Sequence, residues 1–272
     1  MKKWAISALV YLLVVVGGYY AYASFTDEAD LHNDTSAPHE QEEESSHGQE
    51  HKENGENHNG ESEVKPTLQV ENGELIITLK DLEGNPVSDL EVNHEKLLHL
   101  IVVSKDLKEY QHLHPQTNKP GVFKVAHALP AGEYKAFVDI KPTSKNYEVA
   151  PISFIVGENY NELDEDSLTV DAELIKAAGG HTVKMLPSSL KVNEDIQLTF
   201  DLGEDTPEQY LGALGHVVIL DQKGENYIHV HPLKGNEPVF ATKFSEPGIY
   251  KIWAEFKFNG QVFVYPYVVE IK

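Results

Sequence analysis

The sequence contains no cysteine and only two methionines, Met1 and Met185, among 272 residues. Without thiols there is no disulfide framework, no thiolate nucleophile, no cysteine-ligated zinc or iron–sulfur site and no lipid on an N-terminal cysteine. The lack of thioethers excludes a methionine-rich copper(I) site. Basic residues are scarce too: 22 Lys+Arg stand against 44 Asp+Glu, a formal charge of −22. So acidic a chain lacks the positive footprint that nucleic acid needs, and that partner is excluded. Neither a nucleophile elbow nor a glycine-rich phosphate loop occurs, so the chain is not read as an enzyme. Histidine is what stands in excess, with 14. The length suits two ordinary domains, and 40% hydrophobic residues suffice to core them.

Lys2 and Lys3 precede an apolar run from Trp4 to Phe25. At about 22 residues the run is long enough for one helical bilayer crossing. Tyr19, Tyr20 and Tyr22 cluster at its far end, as interfacial aromatics do. The positive-inside rule then puts the N-terminus in the cytoplasm and the remainder outside the cytoplasmic membrane. Two readings fit residues 1–25: an uncleaved anchor through residues 4–25, or a signal peptide cut after Ala23, where Ala21-Tyr22-Ala23 has the small-x-small form. Both place residues 26–272 outside.

Residues 26–66 are nearly free of large apolar side chains, and Asp27 to Glu63 carries 13 acids against one base, Lys52. Such a segment cannot form a core and is expected to be a disordered acidic linker. His32, His39, His47, His51 and His58 are spread through it. It reads as a spacer, with low-affinity metal collection as a second role, since imidazoles and carboxylates both ligate divalent metals.

From Leu68 onward, short alternating runs predict an all-β chain: Leu75–Leu79, Lys96–Ser104, Val122–Leu129, Glu133–Ile140 and Pro151–Val156. A polar link follows at 158–166, then strands resume to the C-terminus, with one short helix expected near Ala172–Ala178. Asn259-Gly260 marks a hairpin. A shift of 117 residues lays His99 on His216, His112 on His229, His114 on His231 and Pro115 on Pro232. The expected architecture is therefore two tandem immunoglobulin-like β-sandwich repeats, 67–157 and 167–272.

Each repeat reads as a hairpin with three histidines. If four-residue loops close the hairpins, His99 lies opposite His114 and His216 opposite His231. One face then carries Leu100, Val102 and Leu113, or Val217, Ile219, Ile228 and Val230. The other carries the histidines, with Val218 and Leu220 in the second repeat. Imidazoles at such separations converge on one metal, so the expected sites are His99, His112 and His114, and His216, His229 and His231. The competing reading is that duplication copied packing histidines. All-imidazole donors suit copper(II) or zinc. His94, His127 and His181 read as surface or packing residues, with His127 open as a fourth ligand of the first repeat. Tyr250, Trp253, Phe256 and Phe258 read as core or sheet-face aromatics.

Three pieces of the first repeat together resemble the YtkA-like and CopC-like extracytoplasmic sandwiches. They are Gly84-Asn85-Pro86-Val87, His99 with His112-Leu113-His114-Pro115, and Pro130-Ala131-Gly132-Glu133-Tyr134. The likeness is good over 68–157 and looser over 182–272. It implies a β-sandwich and heavy-metal, often copper, handling. The ligand set of the CopC-like proteins does not transfer, because here the histidines lie in mid-chain hairpins. The expected function is a membrane-anchored metal chaperone, buffer or sensor, with a metal transporter or another cell-surface protein as partner. The alternative is a non-catalytic structural or protein-interaction module on a stalk.

Overall fold

The structure, a computed structural model, describes residues 61–158, 168–228, 230–233 and 236–272, with the backbone alone at His231. The anchor, the tail histidines, most of the link and His229 lie outside the described residues. The first repeat runs β1 (Val64–Glu71), β2 (Glu74–Asp81), β3 (Leu90–Glu91), β4 (His99–Ser104), β5 (Tyr110–Leu113), β6 (Gln116–Lys119), β7 (Val122–Ala126), β8 (Gly132–Asp139), β9 (Lys141–Pro142) and β10 (Pro151–Val156). The second runs β11 (Ile175–Ala178), β12 (His181–Pro187), β13 (Ile196–Asp201), β14 (His216–Asp221), β15 (Tyr227–Ile228), β16 (His231–Pro232), β17 (Val239–Thr242), β18 (Gly248–Phe258) and β19 (Gln261–Ile271). No helix occurs among the described residues.

Each repeat is a two-sheet sandwich. The first pairs β1-β2-β7-β6 with β10-β8-β4-β5, and the second pairs β11-β12-β13-β17-β16 with β15-β14-β18-β19. Alternating side chains fill each core: Leu75, Ile77 and Leu79 of β2 meet Leu100 and Val102 of β4, and Leu198 and Phe200 of β13 meet Val217 and Ile219 of β14. Tyr134 donates its hydroxyl to the Pro130 carbonyl (3.0 Å) and Tyr250 to that of Glu246 (2.9 Å). These are the tyrosine corners of immunoglobulin-type sandwiches.

The first sandwich begins earlier than expected. Val64 is buried and already pairs with Asp81. The helix expected near Ala172–Ala178 is instead β11, because Gly179-Gly180, at φ of 60° and 87°, turns the chain back into β12. The Asn259-Gly260 turn joins β18 to β19 with Phe258 opposite Gln261.

A third apolar cluster forms between the repeats. Ile101, Val103 and Phe137 pack against Val218, Leu220 and Trp253. β4 and β14 are thus covered on both faces: odd residues of β4 and even residues of β14 meet the other repeat, while their neighbours fill the home core. The contact is reciprocal. Tyr110 stacks on Trp253 with centroids 5.0 Å apart, and its counterpart Tyr227 stacks on Phe137, the counterpart of Trp253, at 5.6 Å.

Candidate functional site at the joint between the repeats

The histidine faces meet over this joint. Leu100 pairs with Leu113 and Ile101 with His112, the register expected for the first hairpin. His99, His112 and His114 gather there, each offering a ring nitrogen within 4.8 Å of the others. Their ring centroids lie 5.2 Å (His99–His112), 5.1 Å (His99–His114) and 4.7 Å (His112–His114) apart. Imidazoles around a tetrahedral ion with 2.0–2.1 Å bonds have centroids roughly 5 Å apart.

Hydrogen bonds fix which nitrogens face inward. His99 donates Nε2–H to the Asn93 carbonyl at 2.9 Å. His112 donates Nδ1–H to Glu255 Oε2 at 2.7 Å, and both side chains are buried. Carbonyl and carboxylate only accept, so His99 Nδ1 and His112 Nε2 are left as lone pairs, and they face each other at 3.0 Å. Two lone pairs so close repel unless a proton or a metal ion lies between them. His114 Nε2 is buried without a hydrogen-bond partner. A proton bridges two acceptors, whereas a metal ion takes three.

A carboxylate behind a ligating histidine is the usual outer support of a metal site, fixing tautomer and ring orientation. Burial pushes His99 down to about 4. It also pushes His114 down to about 3, the neighbouring His112 and His99 adding to the effect. Both are therefore neutral near pH 7, as ligands must be.

His216 lies beside this cluster. It heads β14, opposite Glu255 of β18, and its ring lies 5.8 Å from His112 and 6.5 Å from His99. Its Nε2 donates to the Tyr210 carbonyl at 2.9 Å, matching the bond from His99 to Asn93. Burial pushes it down to about 4. The two carbonyls sit in equivalent tight turns, Asn93–Lys96 and Tyr210–Ala213, whose central residues all have positive φ.

Of the expected second site, His216, His229 and His231, only the His216 side chain lies among the described residues, and the backbone register of the hairpin departs from expectation beyond Ile228. β15 keeps the expected register, Ile219 opposite Ile228, but ends there. The chain then crosses to the other sheet, where His231 pairs with Ala241 and Pro232 with Phe240. His231 therefore does not lie opposite His216, and His229 is outside the described residues. In the first repeat the crossing comes later, after Leu113, so His112 stays with His99.

His127 lies beyond β7 on the other sheet, where its Nδ1 accepts from the Leu129 N–H at 3.3 Å. His181 stacks on Phe258 at 4.0 Å, a packing role. His94, expected to be a surface or packing residue, has its ring 5.5 Å from that of His216 and 6.1 Å from that of His99. Asp139 and Glu255, which sequence reasoning missed, occupy equivalent places beside His99 and His216. Asp139 accepts from the Tyr227 hydroxyl of the other repeat at 3.0 Å. Tyr110 lies beside Glu255 without a well-formed hydrogen bond, and burial, then that carboxylate, pushes its phenol well above the usual range.

Fold and site together define a pair of immunoglobulin-type sandwiches closed over one histidine cluster. The chain belongs to the family described as Domain of unknown function (DUF8832), matched twice, over residues 58–157 and 176–272. No curated protein matches the sequence. Among solved structures, a two fibronectin type-III domain segment of chicken tenascin is similar at 8% identity, covering 77% of this chain and 98% of that one, with a TM-score of 0.25. The Escherichia coli adhesin FdeC is similar at 15% identity over 78% of this chain and 64% of its own, with a TM-score of 0.23. BcpA, the major pilin subunit of Bacillus cereus, is similar at 11% identity over 65% of each chain, with a TM-score of 0.20. Likenesses at these scores carry no argument about function.

Proposed function

We propose that the chain is a non-catalytic metal-binding protein that takes one divalent ion, copper(II) or zinc, through His99, His112 and His114. The carrying observation is the approach of His99 Nδ1 and His112 Nε2 to 3.0 Å, each ring's other nitrogen being bonded to an acceptor, with the orphaned His114 nitrogen beside them. The lack of thiolates and thioethers favours copper(II) or zinc over copper(I). The N-terminal apolar run supports work outside the cytoplasmic membrane, either anchored or released after Ala23. The resemblance to YtkA-like and CopC-like sandwiches agrees with metal handling, and a metal transporter or another cell-surface protein is the proposed recipient.

The test is metal analysis of the full chain in which the five tail histidines, His32, His39, His47, His51 and His58, are replaced by Asn. One zinc or copper(II) ion per chain, lost on His114→Ala, supports the reading. Equal uptake with and without that substitution rejects it and leaves the structural or interaction module in front. That second reading has its own support: Ile155 is 53% exposed, beside a groove lined by Lys105, Lys135 and Phe154.

A further inference from the structure

We propose that the second repeat completes the metal site, with His216 as a fourth imidazole and Glu255 as a positioning residue, so that the bound ion latches the two repeats together. This rests on the metal reading above and goes beyond it, because His99, His112 and His114 all come from the first repeat.

Three observations carry it. First, the Nε2 of His216 is committed to the Tyr210 carbonyl, which leaves Nδ1 as its coordinating atom, and its ring already stands 5.8 Å from His112. His99 is 6.5 Å away, so the two separations exceed the spacing around a tetrahedral ion by roughly 1 and 1.5 Å, a distance that a side-chain adjustment closes. Second, a cavity of about 30 Å³ lies where His216 faces His99 and His112, lined by these three and His94 with Asp139 at its wall, while His114 stands outside its lining, against the far side of His99 and His112. A space of that size holds a single water or ion. Third, Asp139 and Glu255 are buried at 8% and 3% exposure beside the imidazoles. Two carboxylates and one divalent cation sum to zero charge, which a low-dielectric joint favours. Glu255 acts through His112, holding Nδ1–H so that Nε2 points at the ion.

Linkage makes the consequence reciprocal: whatever docking adds to metal affinity, metal adds to docking.

The test uses the full chain with the five tail histidines replaced by Asn, titrated with zinc alone against a chelator, and copper(II) alone for electron paramagnetic resonance. The parent is expected to bind one ion and to show four coupled nitrogens with copper(II). His216→Ala should weaken zinc binding tenfold or more and reduce the nitrogens to three. Zinc should also raise the unfolding midpoint of this variant less than that of the parent. Glu255→Ala should weaken binding about 10–100-fold, and Glu255→Gln should recover part of that, because its amide oxygen still accepts from His112. If His114→Ala loses the ion while His216→Ala and Glu255→Gln bind like the parent with an unchanged nitrogen count, the first repeat holds the ion alone and the latch is wrong. If His114→Ala binds normally, the metal reading itself fails and the latch falls with it. Should Glu255→Ala fail to fold, Glu255→Gln and the His216→Ala nitrogen count decide the matter.

Discussion

His112 and Glu255 belong to different repeats, 143 positions apart, and stand 2.7 Å from each other, Nδ1 to Oε2. The contact is possible only because the outer faces of the β4 and β14 sheets pack together. The same faces carry Ile101, Val103, Val218 and Leu220, so apolar burial supplies the docking energy and the histidines occupy one end of the joint. A polar cluster sealed this way is held in one geometry by the packing around it.

Trp253 should be the residue on which the joint depends. It is 1% exposed and stacks on Tyr110 across the boundary. Trp253→Ala is expected to cost about 3–5 kcal/mol. Urea unfolding, expected as one transition in the parent, should separate into two as the sandwiches uncouple. A single transition at the parental midpoint would refute the shared core.

Much of the fold was legible, and the reasons are local. Strand alternation gave most strands of the first sandwich, and in the second it gave β14 and β15, with Asn259-Gly260 marking the β18–β19 hairpin. The four-residue loops gave the correct register at Leu100–Leu113 and Ile219–Ile228. β11 was mistaken for a helix because Ala-rich residues 172–178 suit one, although Gly179-Gly180 is a two-residue hairpin signal. The larger error was to treat the histidine faces as two surfaces. Leu100-Ile101-Val102-Val103 and Val217-Val218-Ile219-Leu220 are apolar on both faces, whereas a lone sandwich exposes one. That continuity was a readable sign that each strand is covered twice. The early crossing of β16 had no such sign, since His-x-His-Pro is identical in the two repeats.

The tyrosine corners offer a matched pair of tests. Tyr134→Phe and Tyr250→Phe each delete one hydroxyl that bonds a carbonyl four residues upstream. Each should cost about 0.5–1.5 kcal/mol, the net value of a hydrogen bond. Because the corners lie in different sandwiches, the two losses should add within about 0.5 kcal/mol. Thermal denaturation of the single and double variants measures both. A loss confined to one repeat would show that the corners are not equivalent.

The start of the first sandwich is set by a few contacts. Glu63 donates its N–H to the Asn146 carbonyl and accepts the Asn146 N–H on its carboxylate, at 2.9 and 2.8 Å. Val64 is 1% exposed. A chain beginning at residue 67 loses both hydrogen bonds and that side chain, and should be destabilised by about 3–5 kcal/mol relative to one beginning at residue 61. Equal urea midpoints for the two would place the boundary at 67 after all.

Acid should unfold the metal-free protein through its buried imidazoles. His99, His114 and His216 are pushed down to about 4, 3 and 4 from an ordinary 6.5, in each case first by burial. Between pH 6.5 and 4 the unfolded chain binds protons at these three positions and the folded chain does not. Stability is therefore full above pH 6.5 and falls as the pH drops toward 4, by on the order of 1 kcal/mol per histidine per pH unit. The melting temperature, measured with a chelator present, should decline through that window, and His216→Asn should flatten the decline by removing one of the three contributions. Zinc should steepen it, because the ion leaves as its ligands protonate. A melting temperature that stays level from pH 6.5 to 5 would mean that the three imidazoles titrate in the folded joint as they do in the open chain.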